Sequence, residues 1–291
     1  MTIAAGFVCS NGIVMCADSQ ESLGDYKFPV EKLLTRGADS GKIQMALAGA
    51  GHGPFVDMAI SRIIRNMRLD PPSDYNGIEG LIADTLFSLY DREFKLCPLA
   101  EPEEGIIELL IGVKLWGWER PVLYKTFATT ISAVDEYAVI GSGRAVQYQI
   151  HKLHRKFEPT SRVVPIAINL LAVAGVVLRS VGGNAGIAVL HEGAESGIGS
   201  IFGSEIEIIQ KAQSDLEIAA GFLTLDLLDV TKSDSDFHES VRNFVTLAIN
   251  LREKRMDQHQ NLMAWMNAAM EALSGNKSES KPLDSQTSGD Q

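Results

Sequence analysis

MTIAAGFVCSNGIVMCADSQ, residues 1–20, holds two apolar runs around a short polar turn. IAAGFVC (Ile3–Cys9) and GIVMCAD (Gly12–Asp18) are rich in small and β-branched side chains, and Ser10-Asn11-Gly12 between them carries the Asn-Gly signal of a tight hairpin. Both runs are apolar at every position rather than at alternate ones, so the sheet they join is expected to be covered on both faces. Thr2 poses a separate question. Behind a retained methionine it is an ordinary residue; with Met1 removed it becomes an amino terminus, a free amine beside its own hydroxyl.

Beyond the hairpin, Lys32–Thr35 and Lys42–Leu47 read as a second strand pair. The period then changes. Val56, Ile60, Ile63, Ile64 and Met67 recur at helical spacing between Pro54 and Arg68, Pro71-Pro72 breaks the chain, and Ile78 to Phe94 repeats the pattern. Strands are expected at Ile106–Val113, Val122–Phe127 and Tyr137–Ile140. Helices follow at Arg144–Phe157 and Val163–Leu178, then strands near Gly186–Leu190 and Ile198–Phe202, and a long helix over Phe237–Leu273. Strands, helix pair, strands, helix pair, strands is the order of an α+β protein with segregated layers, not of a βαβ alternation. No interior linker marks a boundary. Residues 1–273 therefore read as one domain that includes a helical extension from about residue 220, and residues 274–291, SGNKSESKPLDSQTSGDQ, as a disordered polar tail.

A net charge of −11 argues against a nucleic-acid surface, which needs clustered Lys and Arg. Cys9, Cys16 and Cys97 form neither a disulfide framework nor a C-x-x-C metal knuckle, and read as buried free thiols. No basic segment followed by an apolar one opens the chain, so no signal peptide is expected. The longest apolar run, Val163 to Leu178, is interrupted by Pro165 and Asn169 and reads as a core helix rather than a membrane span. A cytoplasmic location, with no membrane partner, is the expectation.

The sequence contains no G-x-S-x-G elbow, no G-x-x-x-x-G-K-[ST] loop and no H-E-x-x-H pair. His151 and His154, one turn apart and without a third ligand, read as surface residues. Gly141-Ser142-Gly143 opens a helix, where an anion can sit, a weak signal taken alone. Nucleophilic catalysis without histidine remains. A threonine that is residue one can use its own terminal amine as base. That amine has a pKa of about 7.7–8, against about 10.4 for lysine, so near neutrality it is the easier base and a neighbouring lysine acts mainly through its charge.

The order T-I-A-A-G-F-V-C-S-N-G-I-V-M-C-A-D-S, then K-L-L, then A-L-A-G-A-G, resembles the β-subunits of the proteasome family of N-terminal nucleophile (Ntn) hydrolases. DSQESLG (Asp18–Gly24) is similar to the same stretch of the bacterial proteasome-like peptidase that works with a separate ATPase ring. The likeness covers most of residues 2–203 and is most specific at the amino end. It implies the four-layer αββα sandwich of the family. Carried over residue by residue, it implies Thr2 as nucleophile, Asp18 orienting a catalytic Lys32, the Gly49 N–H as oxyanion donor, and Ser142 beside the nucleophile and its amine. It also implies a threonine-type peptidase acting on polypeptides or peptides, with no metal or organic cofactor. A homo-oligomeric ring or stack is implied too, with any ATPase partner unidentified.

The sequence departs from the family where D-x-x-S-G-G is usual. Leu178-Arg179-Ser180-Val181-Gly182-Gly183 puts leucine and valine at the aspartate and serine positions. Gln20 stands where arginine is common, and the loop before Lys32 is about two residues short of the family's. A non-catalytic ring or scaffold subunit and an Ntn amidase acting on a small molecule are the alternatives.

Overall fold

A computed structural model describes residues 2–23, 26–37, 42–96, 106–118, 120–178, 181–182, 185–192, 198–202, 204–229 and 231–275. Met1, Cys97, Arg179, Ser180, Gly183 and the tail expected from residue 276 onward lie outside them.

The opening hairpin forms as β1 (Ile3–Cys9) and β2 (Gly12–Ala17), antiparallel with Ala4 opposite Ala17 and Cys9 opposite Gly12. Gly12 has φ of +151°, and a Cβ there would stand 2.2 Å from the Leu190 carbonyl oxygen on the neighbouring strand, so the turn tolerates only glycine. A small ribbon follows, β3 (Gln20–Leu23) with β4 (Tyr26–Pro29), where a polar loop is expected from the sequence. Next come β5 (Leu33–Gly37), β6 (Ile43–Ala50), α1 (Gly53–Leu69) and α2 (Tyr75–Arg92). The Asp74 carboxylate caps α2 by accepting from the Gly77 N–H at 2.7 Å. The chain then runs through β7 (Glu108–Leu115), β8 (Val122–Phe127), β9 (Thr130–Ala133) and β10 (Tyr137–Gly141). A 3₁₀ turn at Ser142–Val146 leads into α3 (Gln147–Leu153) and α4 (Thr160–Val177). The elements β11 (Gly186–His191), β12 (Ile198–Phe202), α5 (Ser204–Leu228) and α6 (Asp234–Gly275) close the described chain.

The class is α+β, as the order of elements implied. Two five-stranded sheets, β10-β1-β2-β11-β12 and β5-β6-β7-β8-β9, are antiparallel throughout. The strand period of two explains why the strands lack a polar side. In β1, Ile3, Ala5 and Phe7 join one apolar cluster with Val163, Ala167, Leu170 and Ala174 of α4. Ala4, between them, joins another with Ala46, Ala48 and Leu110 of the second sheet. In β6, Ile43, Met45 and Leu47 pack with Phe55, Ile60 and Ile63 of α1, while Ala46 and Ala48 face the other way. The cluster drawing on both sheets is rich in alanine, so the two sheets approach closely there. A Cβ on Gly6 would come within 2.8 Å of Leu123 of β8.

Among the described residues, α4 is the one helix long and apolar enough to cross a membrane, and 56% of that stretch is buried inside the protein. Pro165, inside it, costs about 3 kcal/mol. Burial of Val163, Ile166, Ile168, Leu170 and Leu171, at roughly 1.5–3 kcal/mol each, outweighs that cost.

Two local expectations are corrected. The helix expected over Arg144–Phe157 is split, and α3 ends at Leu153. His154, at φ −91° and ψ 142°, therefore leaves the helical register that put it on the surface, and turns its ring onto Phe7 and Tyr137. It is 4% exposed, whereas His151 is exposed as expected. Neither His154 ring nitrogen has a hydrogen-bond partner among the described residues; Nδ1 lies 3.5 Å from Glu158 Oε2. Secondly, α5 is a separate helix that the sequence reading did not isolate. Its buried stripe (Ile206, Ile209, Ala212) is narrow, and the exposed Ile208, Ile218 and Phe222 blur the period.

Burial holds the His154 pKa below its ordinary value, against the raising effect of Glu158 and Glu136. The unfolded chain therefore takes up this proton first as pH falls below about 6.5, and stability is lost on the acid side, by at most about 1.4 kcal/mol per pH unit from this group. His191 acts in the same direction. We predict that His154→Phe, packed in the same aromatic contacts, flattens the fall in urea midpoint between about pH 7 and about pH 5.5. An unchanged slope would show that His154 is not the group being titrated.

Candidate functional site

The site is built at one end of both sheets. Thr2 is half-buried at the start of β1, whose Ile3 stands opposite Gly141 of β10 on one side. On the other side the β1–β2 register brings Asp18 alongside Ile3. The Ile3 N–H donates to Asp18 Oδ1 at 3.0 Å, and the Asp18 N–H donates to the Ile3 carbonyl at 3.2 Å. Asp18 Oδ2 also accepts from the Gln20 N–H at 3.2 Å. Lys32 Nζ donates to both carboxylate oxygens, at 3.1 and 3.0 Å, and to the Gln20 carbonyl. Asp18 is 3% exposed and the Lys32 side chain 8%. Burying a carboxylate this deeply is costly unless donors of this kind surround it.

Lys32 immediately precedes β5, where Leu33 stands opposite Ala48. The same register carried back one residue sets Lys32 opposite Gly49 of β6. A Cβ on Gly49 would fall 2.2 Å from Val56 Cγ1, so the close approach of α1 alone demands glycine here, whatever its N–H does. Ser142 reaches the centre from the other side. Gly141, at φ +64° and ψ −142°, turns the chain at the end of β10, and the Ser142 N–H donates to the Thr2 carbonyl at 2.9 Å. Thr2 and Ser142 are thus joined directly, Asp18 and Lys32 are joined directly, and Ile3 links the two pairs.

Gly141→Ala tests this geometry. The added Cβ would lie 2.2 Å from the Thr2 oxygen and 2.9 Å from Ala50 Cβ, in a backbone conformation side chains rarely adopt. Left-handed strain of about 1–2 kcal/mol plus overpacking of about 1–3 kcal/mol predicts a loss of at least about 2 kcal/mol in urea denaturation. A variant as stable as the parent contradicts this turn.

Sequence reasoning passed over Glu108, which is 8% exposed. Its Oε2 accepts from the Gly141 N–H at 2.8 Å, and its Oε1 pairs with Arg144. The signal was present: one carboxylate within the apolar run Ile106–Ile111, where an unpartnered charge is rarely buried. Gln20 is 9% exposed, packs its Oε1 against Gly182, and leaves Nε2 without a hydrogen-bond partner among the described residues. At the expected aspartate and serine positions, Leu178 packs against the core and Val181 is buried in it. Burial pushes the thiols of Cys9 and Cys16 up to about 12, so both stay protonated near neutrality and neither is a nucleophile. Among the described residues, no three His, Cys, Asp or Glu side chains are grouped to hold a metal ion.

No family model and no curated protein sequence matches the chain. Solved structures do. Anbu (ancestral beta-subunit) from Yersinia bercovieri is 15% identical, with a TM-score of 0.64 over 75% of this chain and 95% of that one. Anbu from Hyphomicrobium sp. strain MC1 is 16% identical, with a TM-score of 0.60 over 75% and 96%. The Anbu complex from Pseudomonas aeruginosa, solved as a helical assembly, is 18% identical, with a TM-score of 0.65 over 80% and 99%. These findings correct the likeness to proteasome β-subunits and to the bacterial ATPase-linked peptidase. The fold is that of the Anbu structures, proteasome-like but distinct from the proteasome β-subunits themselves.

Proposed function

We propose that the protein is an Ntn hydrolase that cleaves peptide bonds through Thr2, once Met1 is removed. The observation that carries this reading is the buried Asp18–Lys32 pair, hydrogen-bonded to the Ile3 N–H one residue from Thr2. In the proposed mechanism the terminal amine takes the Thr2 hydroxyl proton as Oγ adds to the substrate carbonyl. Lys32, held by Asp18, stabilises the developing charge, and the Gly49 N–H donates to the oxyanion. The ammonium proton passes to the leaving amine, which departs and leaves an ester on Thr2. Water, activated by the same amine, hydrolyses the ester, and Ser142 positions the amine or that water. No metal or organic cofactor takes part in these steps.

The same reading includes a four-layer αββα sandwich spanning residues 1–273 as one domain, with a helical extension from about residue 220. It also includes a homo-oligomeric stack in the cytoplasm. The three apolar clusters support the layers, and the helical assembly of the Pseudomonas Anbu complex supports the stack.

Leu178 and Val181 in the core, where a carboxylate and a hydroxyl are expected, favour a second reading as a non-catalytic scaffold subunit. The intact mass and a peptide β-lactone separate the readings. Loss of Met1 with addition of one lactone supports the hydrolase. Retained Met1, or a processed protein with neither adduct nor turnover, favours the scaffold. An adduct with turnover of small amides but not of peptides points to an amidase.

A further inference from the structure

Glu108 joins the two sheets close to Thr2. It opens β7, opposite Ala50 at the end of β6, and so belongs to the sheet that carries Gly49. Its hydrogen bond goes to the Gly141 N–H of β10, in the other sheet. The residue after Gly141 is Ser142, whose N–H holds the Thr2 carbonyl. From Glu108 to Thr2 the linkage is thus carboxylate, Gly141 amide, Ser142 amide, Thr2 carbonyl, with no flexible side chain after the first step. Arg144, on the 3₁₀ turn that begins at Ser142, pairs with the second carboxylate oxygen and fixes the rotation of the group. The Arg144 side chain is 58% exposed and that of Glu108 10%, so the inner, hydrogen-bonded half of this contact is the one shielded from water.

At the positions where the sequence pattern expects a carboxylate and a hydroxyl, Leu178 packs against the core and Val181 is buried in it. We infer that Glu108 is a positioning residue: it holds the Gly141–Ser142 turn in register with Thr2, and so orients the terminal amine and hydroxyl it never touches. The inference rests on the reading of Thr2 as nucleophile and supplies the support that the sequence pattern lacks.

The test uses the full-length processed protein with Glu108→Ala and Glu108→Gln. Glutamine keeps an oxygen that accepts the Gly141 N–H; alanine does not. Misplacing catalytic groups by about 1 Å costs roughly 10²-fold. Glu108→Ala is therefore expected to lower kcat and the rate of β-lactone acylation by roughly 10- to 100-fold with KM nearly unchanged, and Glu108→Gln to recover most of that loss. Amide hydrogen exchange across 141–142 should quicken in the alanine variant and return in the glutamine one, whether or not a substrate is turned over. Wild-type kcat in Glu108→Ala overturns the inference, as does an equal loss in both variants that only follows their folded fraction. Absence of any adduct in the parent protein overturns the Thr2 reading instead, and with it the catalytic part of this one.

Discussion

Replacing Thr2 with alanine is expected to abolish peptide turnover and adduct formation while leaving the fold in place. The hydroxyl and the γ-methyl are the only groups lost. The Thr2 carbonyl still accepts from Ser142, and the Ile3–Asp18 hydrogen bonds belong to the neighbouring residue. A half-buried hydroxyl without a structural role is worth roughly 0.5 kcal/mol, so the urea midpoint should barely move. Alanine also leaves a small residue behind Met1, and methionine removal should proceed as before. Removing a nucleophile from comparable hydrolases costs on the order of 10⁶-fold in kcat. A fall of that order, with the lactone adduct gone from the mass spectrum, is the expected outcome. Thr2→Ser keeps the nucleophile and should keep the adduct. Turnover surviving in Thr2→Ala would falsify the mechanism outright.

The second large effect concerns the Asp18–Lys32 pair. Lys32→Ala strips the side-chain cation bonded to a carboxylate that is 3% exposed, leaving the Ile3 and Gln20 N–H groups as its donors among the described residues. Breaking a buried pair in this way costs about 3–5 kcal/mol, a large share of a net stability of about 5–15 kcal/mol. Neutralising both partners is a different matter. The double variant Asp18→Asn with Lys32→Met removes the desolvation penalty together with the attraction, and should be markedly more stable than Lys32→Ala alone. Activity is expected to follow the opposite logic. Neither variant retains the charge that stabilises the transition state, so both should lose at least roughly 10²-fold in kcat. Stability and turnover measured on the same samples distinguish a structural ion pair from a catalytic one. Recovery of both together would mean that Lys32 serves the fold alone.

The sheets were legible because Val, Ile and Ala runs with an Asn-Gly turn leave few alternatives, and because the helical period changes sharply at Pro54 and at Pro71-Pro72. The Asp18–Lys32 contact was legible only through a resemblance, since nothing in the spacing of two charged residues dictates their meeting. Glu108 escaped because one partner is the Gly141 backbone amide, which a sequence does not display, and the other, Arg144, lies 36 residues away. His154 was misplaced because the helix ends one residue before it, and a single turn of backbone reverses a side chain's exposure. The motifs pointed to the proteasome β-subunits, whereas the fold found is that of the Anbu structures, at 15–18% identity.

The alanine layer between the sheets has a consequence beyond packing. Thr2 and Asp18 ride on one sheet, Lys32 and Gly49 on the other, and Ala4, Ala46 and Ala48 share the layer between the sheets with Leu33, Leu110 and Leu123. The distance across the candidate site is therefore a gauge set in part by these methyl groups. One extra carbon at Ala46 or Ala48 would widen it like a shim, and natural variation at those positions should be restricted.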